Sequence, residues 1–258
     1  MSTESRDLLR VTLDGPVANL TVAHPPVNAI SLDVLEALLG AFRRLKADEA
    51  VRVAVLTGEG AIFSAGADLA SAAQTGPLAL MRRGREVYRE LADFPKPLIA
   101  AVNGLCVGGG LELALLADLR ICAASARFGQ PEINLGIIPG WGGTQRLPAA
   151  IGQQRAVELI LSGRLMRAEE AEAAGLVLHA YPDDELKDQA RNLARRLAEK
   201  PPLALQAAKA AVRTWAEAGP AAGHEREGEA MEGLAQTQDA AEGVMAFLQK
   251  RRPNFTGR

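Results

Sequence analysis

Apolar residues change their period along this chain, and each change marks an element. Leu8 to Leu13 and Val17 to Ala23 read as short strands on either side of the turn Asp14-Gly15-Pro16. At Leu32 the spacing becomes helical. Leu32, Leu35, Leu38, Leu39, Phe42 and Leu45 share one face, Ser31 stands as the N-cap, and Asp33, Glu36, Arg43, Arg44 and Lys46 mark a solvated face. Val51 to Thr57 is a Val-rich run that predicts a buried strand ended by Gly58. Residues 79–93 return to amphipathic helix until Pro95-Lys96-Pro97 stops them.

Leu98 to Val102 is a second buried strand, followed by a glycine turn, a helix from about Gly110 to Leu116, and a strand at Leu119 to Ala123. This alternation places the first two-thirds in the α/β class. From about Asp184 no strand pattern survives: 185–199, 201–217, 223–237 and 239–250 read as helices, punctuated by Pro201-Pro202, Gly219-Pro220 and Pro253. They predict a helical appendage packed on the α/β body or on a neighbouring subunit. No exact internal repeat or low-complexity linker is present.

Composition narrows the partners. The 258 residues suffice for one large domain, or one domain and a smaller appendage. With 29 basic against 31 acidic residues, the net charge of −2 gives no overall electrostatic pull toward nucleic acid or an anionic membrane. No apolar run approaches a membrane span, and Met1 to Arg10 lacks the apolar core of a signal peptide. Cys106 and Cys122 sit inside apolar runs and read as buried free thiols. His24, His179 and His224 are scattered, so no metal site is expected. The expectation is a soluble, cytoplasmic protein.

Three stretches could carry chemistry. Val107-Gly108-Gly109-Gly110-Leu111-Glu112 follows a buried strand directly. Without Cβ atoms its backbone is open to close approach, and free N–H groups at a helix start favour an oxygen gaining negative charge. The same glycines would also serve a turn needed only for packing. They lack the spacing of the dinucleotide fingerprint. Glu112, in the first helical turn, either complements the helix dipole or points into the pocket of those N–H groups. Phe128-Gly129-Gln130-Pro131-Glu132 brings a second carboxylate, which taken alone reads as a surface residue at a helix start. Ile137 to Leu147 sets three glycines around Trp141, as a shaped loop or as a connector with the indole buried.

Taken in order, these stretches resemble the enoyl-CoA hydratase/isomerase (crotonase) family. The resemblance also runs through Pro26-Val27-Asn28-Ala29-Ile30-Ser31, Phe63-Ser64-Ala65-Gly66-Ala67-Asp68-Leu69, Lys96 to Gly104, Pro139 to Leu147 and Glu242 to Arg252. It implies a spiral of ββα units with an acyl-CoA site over residues 1–195, and a C-terminal helical oligomerisation region over 196–258. The implied assembly is a homotrimer, or a hexamer made as a dimer of trimers. The implied ligand is an acyl-CoA thioester, with no cofactor, nucleic acid or membrane partner.

By motif position, the oxyanion-hole N–H groups would be those of Ala67 and Gly109, and the two catalytic glutamates Glu112 and Glu132. Further substrate contacts are implied at Ala65, Asp68, Gly140 and Trp141, and at Phe247 and Lys250 toward the CoA of an adjacent subunit. The implied reaction is reversible hydration of a 2-enoyl-CoA. The alternatives are a Δ3,Δ2- or ring-opening isomerase of the same family, or a non-catalytic acyl-CoA-binding scaffold. The chain departs from the family pattern at His24-Pro25-Pro26, at Ala70, where many hydratases carry lysine, and at Trp141, a position that is small in many of them.

Overall fold

The buried Val- and Ala-rich runs form the centre of the molecule. The structure, a computed structural model, describes residues 8–258 apart from the side chains of Gln74 and Thr75; of the polar stretch Met1 to Arg10, residues 1–7 lie outside the described residues. β1 (Leu9–Asp14) and β2 (Val17–Val22) form an antiparallel hairpin, and α1 (Leu32–Ala47) follows, with the Ser31 hydroxyl accepting from the Val34 N–H at 3.3 Å.

Three ββα units come next. The first is β3 (Val53–Gly58), β4 (Ile62–Ser64), α2 (Leu69–Thr75) and α3 (Pro77–Ala92); the second is β5 (Leu98–Val102), β6 (Leu105–Val107) and α4 (Gly109–Ala114). The third is β7 (Leu119–Ala123) and β8 (Arg127–Gly129), a 3-10 turn at Pro131–Leu135, then α5 (Gly143–Ile151) and α6 (Gln153–Ser162). β9 (Met166–Arg167), α7 (Ala168–Ala173) and β10 (Ala180–Tyr181) close the body. The helices α8 (Leu186–Ala198), α9 (Pro202–Ala218), α10 (Pro220–Leu234) and α11 (Gln238–Leu248) complete the chain.

In each unit the first strand joins one sheet and the second strand another. The sheets run β1-β2-β3-β5-β7-β10 and β4-β6-β8-β9, parallel except at β1/β2 and β8/β9. This is the α/β spiral that the resemblance implies. The larger sheet is buried on both faces, which is why its central strands are continuous apolar runs. Ala54, Leu56, Leu98, Ala100 and Val102 face the main core, while Val53, Val55, Ile99, Ala101 and Ile121 face the Ala-rich side of α8.

The corners between the sheets are tight. A Cβ on Gly104 would overlap the Ala61 carbonyl oxygen, and one on Gly58 would lie 2.5 Å from the Phe63 carbonyl oxygen. Backbone cannot swing aside as a side chain can. Gly104→Ala is therefore expected to cost about 3 kcal/mol, the upper end for overpacking, read as a lower urea midpoint. Gly228→Ala, in α10 with nothing near its added Cβ, is expected to stabilise by ~0.5–1 kcal/mol.

α9 and α10 pack as a hairpin, Gly223 lying against Trp215. α9 is tied to the body by Lys209, which meets the Asp118 carboxylate at 2.8 Å, and by Arg213, which bonds Asp93 and the Ala92 carbonyl. Val212, Trp215, Met231, Val244, Phe247 and Leu248 are nevertheless exposed along these helices. Both cysteines are buried and free. Among the described residues, no helix is long and apolar enough to cross a membrane, and no cluster of His, Cys, Asp and Glu could hold a metal.

Candidate active site

Two backbone N–H groups and two carboxyl groups meet where β4 and β6 hand over to their helices. The Ala65–Asp68 loop is pinned to the segment before α1: Ala65 N–H donates to Val27, Ile30 N–H to Gly66, and Asp68 N–H to Ile30. Ile30 and Ala67 thus form a parallel bridge in which Ala67's own N–H faces away from the partner strand. Opposite it, Gly108 takes φ 54° and ψ −131°, a conformation open to glycine, and turns β6 into α4. Gly109 is the first residue of that helix, so its N–H has no acceptor within the helix. Among the described residues neither the Ala67 nor the Gly109 N–H donates a hydrogen bond. The two groups are neighbours: a Cβ built on Gly109 would lie 3.4 Å from the Ala67 nitrogen.

Glu112, one turn into α4, is only 2% exposed. Its Oε1 accepts from the N–H groups of Trp141 and Gly143, each at 2.7 Å. Its Oε2 accepts from no protein donor, and no unpaired polar side-chain atom is fully enclosed among the described residues, so this oxygen keeps some access to solvent. Glu132 lies in the 3-10 turn with its carboxyl over Gly108, where a Cβ would come within 3.3 Å of Oε1. The fully buried Gln130, with its amide turned so that both ends find partners, donates to the two Glu132 oxygens at 2.9 and 3.1 Å.

The two carboxyl groups are held differently. Burial raises the pKa of Glu112, while the Gly143 and Trp141 N–H groups and the Arg146 charge favour its anion. Glu132 is pushed up to about 7, first by burial and further by the charge on Glu112, against a contribution from its own N–H. Glu132 thus keeps its proton close to neutrality beside a carboxylate supplied with donors. One group is suited to give a proton and the other to take one.

Trp141 is the wall of the site. It is 5% exposed, its Nε1 donates to the Met81 carbonyl at 3.1 Å, and its ring lies 4.9 Å from that of Tyr88. Tyr88 in turn donates its hydroxyl to the Gly109 carbonyl at 2.8 Å. The glycine-rich stretch is therefore half loop and half helix: the indole plugs against Gly84 and Gly109, and α5 starts at Gly143.

The remaining sequence candidates divide. Ala65 belongs to the pinned loop and Gly140 flanks the tryptophan, beside Met81. Asp68 caps α2, its carboxylate accepting from the Ser71 N–H at 2.9 Å. Phe247 is exposed at the end of α11, and Lys250 follows in a left-handed conformation. No hydrogen bond or ring contact ties either to the groups above. The site also includes Gln130, Tyr88, Gly143 and Arg146. Gln130, Gly143 and Arg146 lie inside the motifs that carry the resemblance, whereas Tyr88 has the sequence pattern of any inward helical aromatic.

Comparison with known proteins decides the family. The family profile described as enoyl-CoA hydratase/isomerase matches residues 13–258. The chain belongs to the enoyl-CoA hydratase/isomerase family. Among its relatives, the 2,3-dehydroadipyl-CoA hydratase of Escherichia coli (strain K12) is 42% identical, over 100% of this chain and 98% of the other. Methylglutaconyl-CoA hydratase, mitochondrial, of Mus musculus is 40% identical over 89% of this chain and 76% of its own. The solved enoyl-CoA hydratase from Bacillus anthracis superposes with a TM-score of 0.94 at 37% identity, covering 97% of this chain and 100% of that one.

Proposed function

We propose that this family member is an enoyl-CoA hydratase that adds water across the C2=C3 bond of a 2-enoyl-CoA, without a cofactor, through Glu112, Glu132 and a backbone oxyanion hole. The observation that carries the reading is the pairing of a proton-retaining Glu132 with a donor-held Glu112 beside two free N–H groups. The thioester carbonyl oxygen would accept from Ala67 and Gly109. Water held between the carboxyl groups attacks C3 and gives its proton to Glu112. The electron pair of the double bond moves to C2 and the carbonyl, as an enolate held by the two N–H groups. Glu132 then delivers its proton to C2. Such preorganised donors are worth ~2.7–4 kcal/mol of barrier each.

The acyl group is a separate matter, because the relatives carry names for different acyl-CoAs. Assembly into trimers is part of the proposal, and the exposed apolar residues of α9 to α11 support it. Phe247 and Lys250 would then reach CoA bound to a neighbouring copy.

Incubation with crotonyl-CoA and, separately, 3-butenoyl-CoA tests the reaction type. Loss of enoyl-thioester absorbance from the first, with no conversion of the second, is the expected result. Rapid conversion of 3-butenoyl-CoA to the conjugated isomer would favour an isomerase.

The pH profile offers a finer check. A protonated Glu132 is required, so kcat/KM should fall as pH rises through about 7. Gln130 donates to the ionised carboxylate and so lowers its pKa; Gln130→Leu removes those donors. The alkaline limb of this variant should move to higher pH.

A further inference from the structure

A groove of about 980 Å³ runs from Gly140, Trp141 and Gly142 between α3, α5 and α9. It begins at the loop whose N–H groups hold Glu112, so the wall of the catalytic site is also one end of the groove. Its floor is apolar, with Leu115, Leu116, Leu205 and Val212 among its lining. Its charge is one-sided. Six cations line it against two carboxylates, and both carboxylates are already engaged, Asp118 by Lys209 and Glu217 by Arg213. Arg120 and Arg146 donate to carbonyls, which leaves Arg85 and Arg89. Among the described residues neither of these two makes a hydrogen bond or ion pair.

The two free arginines lie in register with the site. Met81 carries the carbonyl that receives the Trp141 indole, and its Cε lies 3.8 Å from where a Gly140 Cβ would stand. Arg85 and Arg89 follow at four-residue steps on the same stripe of α3, about 6 and 12 Å further along the helix. The apolar floor thus leads from the Trp141 loop to two unpaired guanidinium groups.

We propose that this groove is the subsite for the far end of the acyl group, and that Arg85 and Arg89 there select an acyl chain ending in a carboxylate. The proposal rests on the acyl-CoA site described above and adds a substrate class to it. A guanidinium fork matches a carboxylate in shape and charge, and the apolar floor suits the methylene groups between the two ends. A plain alkyl chain would use the floor alone.

The test compares ligands that differ only in that terminal group. The full chain is titrated by calorimetry with hexanoyl-CoA, with the mono-CoA thioester of adipic acid, and with CoA itself, as wild type and as R85A/R89A. Wild type is expected to bind the dicarboxylic thioester at least about tenfold more tightly than hexanoyl-CoA. In the double variant that difference should vanish. Equal affinities in wild type would overturn the proposal. So would an equal loss for all three ligands in the double variant, since the arginines would then be reading the CoA phosphates. Binding does not depend on turnover. Wild type that discriminates between the thioesters yet hydrates neither crotonyl-CoA nor the 2-enoyl form of the dicarboxylic thioester would sink the hydratase reading and leave the subsite standing.

Discussion

Glu112→Gln and Glu132→Gln are each expected to lower kcat on a 2-enoyl-CoA by about 10²–10⁴-fold, the usual loss when a proton-transferring group is removed. Glutamine keeps the shape of either side chain. At position 112 its amide oxygen can still accept from the Trp141 and Gly143 N–H groups, so the loop stays in place while the base is gone. At position 132 the group over Gly108 is retained without its acidic proton.

Thermal unfolding separates this loss from misfolding. Both carboxyl groups have raised pKa values, so the folded state binds their protons more tightly than the unfolded chain does. For Glu132 that preference destabilises the fold progressively between pH 4.5 and about 7, and by a constant amount above that range. Glu132→Gln removes the destabilisation. Its Tm should match wild type near pH 4 and exceed it above pH 7. A variant that is inactive and less stable at pH 8 would contradict the account of this residue.

Gly109→Ala is the second large effect, with an expected loss of about 10²–10³ in kcat. The added Cβ would overlap the Trp141 ring, with Cε3 at 2.7 Å. That ring cannot yield cheaply: its Nε1 is bonded to Met81, Tyr88 lies against it, and Gly84 leaves no slack on the α3 side. Relief must come from the Trp141 backbone, which donates to Glu112, or from Gly109, whose N–H faces the site. Either movement displaces a group that the proposed reaction uses. Trp141→Leu in the same chain opens the space and should recover at least part of the loss. A double-mutant cycle reads the recovery as coupling between adjacent residues. Simple additivity, or full activity in Gly109→Ala, would show that the contact does not set the geometry of the oxyanion hole.

Legibility in the sequence followed element length and burial. β5 and β7 were read to their observed limits because each is a largely apolar run: Pro97 and Asn103 bound the first, and Asp118 precedes the second, whose one charged residue is Arg120. β4, β6 and β8 span three residues each, too few for a period to show. The repeat of ββα units escaped the sequence for a related reason: the path of the chain repeats, and its residues do not. Glu132 was ambiguous because a glutamate after proline usually faces water. What draws it inward is the missing Cβ of Gly108, some two dozen positions earlier. The family motifs brought Glu112 and Glu132 together in sequence, but which would keep a proton depended on donors from Trp141 and Gly143, and on Arg146. No local pattern announces those contacts.

The most direct measurement is turnover of crotonyl-CoA in deuterium oxide enriched in oxygen-18, with the product read by mass spectrometry and NMR. The account predicts a 3-hydroxyacyl-CoA with one deuterium at C2 and one oxygen-18 at C3, the thioester intact, and neither label introduced by the glutamine variants at normal rates. Deuterium without oxygen-18 would identify an isomerase that moves protons alone. Oxygen-18 in a released carboxylic acid would identify a thioester hydrolase. Either result would contradict hydration as the reaction of this site.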